Sequence, residues 1–398
     1  MTKVIFILSF LIAAIIFFLF VPISQFPKPK GPYGVGQTQH HWIDESRKEL
    51  NTDDPKHPYR EMMVSIFYPT EKTKNAKRIF YDKDAAKNFV QHLGRMSKLP
   101  AWLFRGIHFI KTSAQWNVPI AKSETPFPVI FFSHGFAPKV RNSTWSLEEL
   151  ASHGFIVVGI EYPYIAAMTR FSGDRIVKSL VFKKKKASRK TYMDWKLQQV
   201  GICAQDISFV INKLKEHAKQ KDELWSTNID TDKIGHLGHS FGGSLSVRIC
   251  RTEKRMLCGI DMDGALRGED IDNPFSKPFM FLVGEKSNQW IGKEGKDLED
   301  IRRLSKANKN THMITIKDHN HSFTIDVTLA LNAMLVTRLI SYFYYDDFLL
   351  GLPAPQETNV LVNLIHPYII DFLEKHLKDK PSKLLPNDRG ELVVGIEK

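Results

Sequence analysis

Gly238-His239-Ser240-Phe241-Gly242-Gly243 is the segment that most limits what this chain can fold into. It follows a short apolar run, Lys233-Ile234-Gly235-His236-Leu237, and precedes a stretch of helical character over residues 244–254. A serine therefore stands at the apex of a strand, a sharp turn and a helix. The backbone of such a turn passes close to the flanking positions, so these must be small. The turn pushes the hydroxyl into the open and aims the next backbone N–H at the same point, where it can hold a developing oxyanion. A bare G-x-S-x-G pattern also occurs in ordinary turns with a solvent-facing serine. The strand before it, the helix after it and the additional glycine make Ser240 a candidate nucleophile.

The body of the chain supplies the sheet that such a turn needs. Apolar runs at 128–132, 155–160, 256–260, 279–283 and 313–316 read as buried strands, and 145–153 reads as a helix. Over 195–217, Leu197, Val200, Ala204, Ile207, Ile211 and Leu214 recur every three to four residues and share one helical face. Continuous apolar strands separated by amphipathic helices require a mostly parallel central sheet with helices on both faces. The expected class is therefore α/β, of the α/β-hydrolase type. The 398 residues, 43% of them hydrophobic, allow one large decorated domain over 31–377, followed by a polar C-terminal tail over 378–398.

Residues 1–30 differ from the body. The run 4–21 is apolar apart from Ser9, near the length that spans a bilayer, and no small-residue cleavage pattern follows it. It reads as a single-pass N-terminal membrane anchor, with secretion after signal cleavage as the alternative. The net charge is +13, and its sharpest cluster is Lys183-Lys184-Lys185-Lys186, continued by Arg189 and Lys190. No nucleic-acid module accompanies this run, so nucleic acid is not an expected partner. An anionic membrane surface or a solvated loop accounts for it equally well. Cys203, Cys250 and Cys258 are too few for a disulfide framework and leave room for one bridge; none stands in a metal-ligand spacing. Asn142-Ser143-Thr144 is a glycosylation sequon. No metal or other cofactor is expected.

In a hydrolase of this class the nucleophile is followed by an acid and then a histidine, each after a strand. The strand at 256–260 runs into Asp261-Met262-Asp263-Gly264, and the last strand into Lys317-Asp318-His319-Asn320-His321. The acid must be buried and accept the imidazole N–H, leaving the other ring nitrogen to take the serine proton. Spacing leaves Asp261 or Asp263, and His319 or His321, open. The second oxyanion donor is expected in the loop after the strand at 129–132, which makes Phe136 and Phe241 the candidate backbone donors.

Phe132-Ser133-His134-Gly135-Phe136, Ala151-Ser152-His153-Gly154-Phe155-Ile156-Val157 and the serine turn together resemble the platelet-activating factor acetylhydrolase family, of lipoprotein-associated phospholipase A2 type. Gly31-Pro32-Tyr33-Gly34-Val35-Gly36, Cys258-Gly259-Ile260 and Met313-Ile314-Thr315-Ile316 extend the resemblance, in order, from about residue 31 to about 326. The resemblance implies Ser240 as nucleophile, Asp263 as acid, His321 as base, and the N–H groups of Phe241 and Phe136 as the oxyanion hole. It further implies a serine esterase that cleaves the sn-2 acetyl, short or oxidised acyl ester of platelet-activating factor and related phospholipids; with no EF-hand loop or other calcium site in the sequence, the activity is expected to be calcium-independent. The partners so implied are a phospholipid substrate and a membrane or lipoprotein surface. The chain departs from the family pattern at Gly264, at the lysine run and in the apolar segment 329–352 before Pro353-Ala354-Pro355. These departures bear on acyl preference and membrane docking. A general carboxylesterase or lipase on the same fold, and a silent lipid-binding protein, are the competing readings.

Overall fold

The computed structural model describes residues 9, 26–72, 102, 106–107, 109–136, 140–220, 228–270, 276–287, 296–319, 321, 326, 329, 360–385 and 391–395. In chain order the strands are β1 (Gly34–Lys48), β2 (Tyr59–Thr70), β3 (Gln115–Trp116), β4 (Phe127–Ser133), β5 (Ile156–Glu161), β6 (Met168–Arg170), β7 (Ile176–Lys178), β8 (Ile229–His239), β9 (Met256–Met262), β10 (Phe279–Gly284), β11 (Thr311–Ile316) and β12 (Glu391–Val394). One sheet runs in the order β12-β11-β10-β9-β8-β4-β5-β2-β1-β3, and β6 pairs with β7 apart from it. From β5 through β4, β8, β9, β10 and β11 to β12, neighbouring strands are parallel. In this sheet β2 runs antiparallel to both β1 and β5.

The strands read as unbroken apolar runs because both faces are covered. The helices are α1 (Thr144–Ser152), α2 (Val181–Lys185), α3 (Arg189–Lys219), α4 (Phe241–Thr252), α5 (Lys296–Ala307) and α6 (His366–Leu377). Ile130, Phe132, Val157, Leu237 and Ile260 share a cluster with Trp145 and Leu150 of α1 and with Ile369 and Phe372 of α6. The alternate residues Val129, Phe131, Val158, Ile234 and Phe281 share the other with Val200 and Ile207 of α3, Leu245 of α4 and Leu304 of α5. Each fully buried side chain of this kind contributes about 1.5–3 kcal/mol.

A buried ion cluster ties α3 to the antiparallel end of the sheet. The Arg60 guanidinium on β2 donates to Asp206 of α3 and to Glu49, each at 2.7 Å. Arg47 of β1 reaches the same Asp206 at 2.8 Å. Burial opposes the charge on Arg60, but the Asp206 and Glu49 carboxylates more than offset it and raise its pKa above the ordinary value. A buried charge is tolerated only when paired in this way.

Several elements differ from the sequence expectation. Helix α3 starts at Arg189, six residues before the periodic stretch, because the Ser188 side chain caps it by accepting from Thr191 N at 3.2 Å. No element was expected over β1 and β2; β1, beside the two-residue edge strand β3, mixes exposed with buried side chains, which hides its signal, whereas β2 lies between β1 and β5 and is buried over nearly all its length. Residues 391–394, inside the expected polar tail, form β12 beside β11, with Leu392-Val393-Val394 supplying the strand character. The lysine run lies on α2 and just beyond it rather than in a loop, with Lys183, Lys185 and Lys186 exposed. All three cysteines are free and buried. In the sequon, Ser143 and Thr144 are buried at the start of α1. The apolar run 4–21, apart from Ser9, and the segment 330–355 lie outside the described residues. Among the described residues, no helix is long and apolar enough to cross a membrane.

Candidate active site

β8 ends at His239 and α4 begins at Phe241, so Ser240 alone makes the turn, with φ 58° and ψ −114°. A non-glycine residue held there costs on the order of 1–3 kcal/mol. The surroundings impose it: Ser240 N donates to Met262 O at 2.9 Å, and Ser244 N donates to Ser240 O at 3.1 Å. A Cβ on Gly238 would lie 1.9 Å from Gly242 O, and one on Gly242 would lie 2.0 Å from Ser133 O. These contacts are the physical reason for small residues on either side of the serine.

The two open pairs separate cleanly in space. Ser240 Oγ–H donates to His321 Nε2 at 2.8 Å, and His321 Nδ1–H donates to Asp263 Oδ2 at 2.7 Å. The Asp263 side chain is fully enclosed, whereas that of His321 is 30% exposed. Asp263 is fixed twice more: its N–H donates to Leu282 O at 2.8 Å and its Oδ1 accepts from Gly284 N at 3.0 Å. Asp261 points elsewhere and accepts from Gly264 N at 2.7 Å. His319 turns into its own loop, where Nδ1–H donates to Lys317 O at 2.6 Å. Ser240, His321 and Asp263 are therefore brought together, and Asp261 and His319 are not joined to them by side-chain hydrogen bonds of this relay.

The loop after β4 runs close to the serine. His134 Nδ1–H donates to Gly135 O at 2.7 Å, and its Nε2 accepts from Tyr162 N at 3.3 Å, so one ring braces the turn from both sides. A Cβ on Gly135 would lie 3.1 Å from Ser240 Cβ, so the loop backbone at Gly135 passes against the serine. The Phe136 ring packs on Phe241 at 4.4 Å and on Trp195 of α3 at 6.0 Å between centroids. Tyr192 continues the aromatic row, 6.3 Å from Trp195. The Lys196 ammonium stands over this row, 4.6 Å from the Tyr192 centroid and 5.3 Å from that of Phe136. An apolar wall bearing a positive charge thus leads away from Ser240 along α3.

Sequence reasoning overlooked His239. Its Nε2–H donates to His321 O at 3.1 Å and its ring lies 5.0 Å from that of His321. Burial first, and then His321, pushes its pKa down to about 3, so it remains neutral beside the relay. Also overlooked was a buried polar chain beneath the turn. Tyr162 OH pairs with Ser133 Oγ at 2.7 Å, Ser133 with His236 Nε2 at 2.9 Å, and His236 Nδ1 with Ser246 Oγ at 2.7 Å. It links the residue just after β5 to β4, β8 and α4, and Ser246 passes it on to Ile260 O of β9 at 2.8 Å. The available signal was a polar residue interrupting an apolar run, as Ser133 and His236 do. Among the described residues, no group of three or more His, Cys, Asp or Glu side chains is placed to hold a metal ion.

Known proteins are similar to this chain over most of their length. The family model for platelet-activating factor acetylhydrolase, isoform II, matches residues 19–381. A platelet-activating factor acetylhydrolase of Cavia porcellus is 25% identical, over 93% of this chain and 83% of its own length. One of Canis lupus familiaris is 24% identical, over 89% and 78%. A probable 1-alkyl-2-acetylglycerophosphocholine esterase of Arthroderma benhamiae is 23% identical over 93% of each chain. Among solved structures, a ferulic acid esterase of Streptomyces cinnamoneus superposes with a TM-score of 0.66 at 22% identity, covering 91% of this chain and 96% of its own. That likeness shows the fold, which is the α/β-hydrolase fold.

Proposed function

The chain belongs to the platelet-activating factor acetylhydrolase isoform II family and is a carboxylic ester hydrolase, and from that premise we propose its substrate and mechanism. It removes an acetyl group from the sn-2 position of a phospholipid, as the names of its relatives suggest, and by the same chemistry other short or oxidised acyl groups. The observation that carries the reading is the relay from Ser240 through His321 to Asp263, with contacts of 2.8 and 2.7 Å. Ser240 Oγ attacks the ester carbonyl while His321 Nε2 takes its proton; Asp263 holds the ring and stabilises the imidazolium. The N–H groups of Phe241 and Phe136 receive the oxyanion. Collapse of the tetrahedral intermediate breaks the bond to the lyso-phospholipid, which leaves with the proton from His321. Water, deprotonated by the same histidine, then hydrolyses the acyl-enzyme.

Every proton in this scheme is carried by a side chain of the protein, so the reading includes activity in the presence of a chelator. The aromatic row on α3 offers apolar contact to a lipid chain. Exposed lysines on and beside α2 supply a docking face for an anionic lipid surface. The test is hydrolysis of phosphatidylcholines that differ only in sn-2 acyl length, in EDTA, by the wild type and Ser240→Ala. We expect short-chain preference, and a loss of about a million-fold on removing the nucleophile. Long-chain preference, or activity that needs calcium, would sink this reading.

A further inference from the structure

The carboxyl that the relay leaves unused, Asp261, lies between the two turns that carry the proposed nucleophile and acid. It is the second-last residue of β9 and only 1% exposed. Its Oδ1 accepts from Gly264 N at 2.7 Å and thereby closes the turn whose middle residue, Asp263, has φ 59°. The same oxygen fills the space that a side chain on α4 would otherwise occupy: a Cβ on Gly243 would lie 1.9 Å from it. A Cβ on Gly264 would meet this oxygen at 2.5 Å and Ser240 O at 2.6 Å. Ser240 N to Met262 O, at 2.9 Å, and Ser244 Oγ to Ala265 O, at 2.5 Å, stitch the two turns together on either side of Asp261. Its other oxygen, Oδ2, is buried with no hydrogen-bond partner.

We propose that Asp261 is a positioning residue that works as a neutral carboxylic acid, clamping the Asp263 turn against the first turn of α4. The inference rests on Ser240 and Asp263 holding the roles assigned above. An ionised carboxylate with one unpartnered oxygen is far costlier to bury than a neutral acid, which forgoes only one neutral hydrogen bond. Burial foremost, and in the same direction the nearby Asp263, push its pKa up to about 8, against the opposing pull of the Gly264 N–H. Neutrality has a consequence for the chemistry. The first turn of α4 presents its N–H groups and the positive end of its dipole to the oxyanion. A negative charge on Asp261, packed against that turn, would cancel part of this field and repel the oxyanion. The titratable group facing Asp261 is Asp263, whose charge adds to that repulsion. The residues paired with it on β8 and β10, Gly238 and Phe281, carry none.

The test uses a neutral acetyl ester, so that it does not depend on lipid preference, and compares the wild type with Asp261→Asn, Asp261→Ala and Ser240→Ala from pH 6 to 10. Asparagine keeps the shape and the acceptor for Gly264 N–H but cannot ionise. We expect Asp261→Asn to retain kcat near pH 7 within about threefold, and its alkaline loss of activity to move up by about one pH unit or more. Asp261→Ala should lower kcat about tenfold or more with KM within about twofold, since the clamp acts on the transition state. An alkaline limb of Asp261→Asn that superimposes on the wild type overturns the proposal, as does an unchanged kcat in a folded Asp261→Ala. Thermal melting identifies the folded variants, and should Asp261→Ala fail to fold, the Asp261→Asn profile decides alone. Wild-type rates in Ser240→Ala would overturn the roles on which the proposal stands.

Discussion

One residue separates His319 from His321, yet the Nδ1 proton of the first goes to Lys317 O and that of the second to Asp263. The carboxylate holds the His321 ring in the tautomer whose Nε2 can accept from Ser240, whereas the His319 Nδ1 proton is turned to a carbonyl of its own loop. His321→Gln should therefore lower kcat on an acetyl ester by about 10⁴-fold or more, at little cost in stability. His319→Gln should do the reverse, keeping most of kcat and losing about 1 kcal/mol with its backbone hydrogen bond. Parallel kinetics and denaturant melts read both quantities. A large kcat loss in His319→Gln alone would reassign the base.

At the scale of elements, α2 and α3 join the surface to the site. Lys183, Lys185 and Lys186, on and beside α2, and Arg189 and Lys190, at the start of α3, are exposed. Trp195 and Lys196 follow on the same helix about 9–10 Å further along its axis, at 1.5 Å per residue. There they meet the Phe136 ring, which packs on Phe241, the residue after the serine. The Arg60–Asp206 pair anchors α3 to the sheet, so the basic end and the aromatic wall keep a fixed relation. Each lysine near an anionic lipid surface contributes about 1 kcal/mol to docking. Replacing residues 183–186 by glutamine should slow hydrolysis on anionic vesicles about tenfold or more while a soluble short-chain ester is unaffected. An equal loss on both substrates would mean that the run supports folding instead.

Over the whole molecule, buried titratable groups set opposite limits on stability. Burial pushes His236 and His239 down to about 3 and His366 down to about 4, against 6.5 when exposed. Below pH 6.5 the unfolded chain takes up protons that the folded chain refuses, so stability falls as pH drops through this range. Asp261 works the other way. With its pKa raised from 3.8 to about 8, the folded chain holds a proton that the unfolded chain releases, and stability declines as pH rises across that window. Together they predict greatest stability near pH 6–7, with a steep acid side and a shallow alkaline one. Calorimetric scans across pH test this, and Asp261→Asn should flatten the alkaline side. A melting temperature still rising between pH 4 and 8 in the wild type, at the same slope as in Asp261→Asn, would contradict it.

Local sequence determined the serine turn, the core strands and the faces of their helices. Glycines at 238 and 242 are demanded by backbone contacts within a few residues or across one strand, and unbroken apolar runs need cover on both faces. β1, where polar and buried residues are mixed, and the edge strand β12, within a polar stretch, were not legible; among the described residues β12 pairs only with β11, far back in the chain. Family resemblance pointed to Asp263 and His321; spacing alone left both pairs open. Only the tertiary structure decided which carboxyl meets which imidazole, because two residues of offset along a turn change the direction of a side chain more than its position. It also gave Asp261 its neutral, clamping character, which depends on the low-dielectric space between α4 and the end of β9 and on no residue adjacent in sequence except the turn it closes.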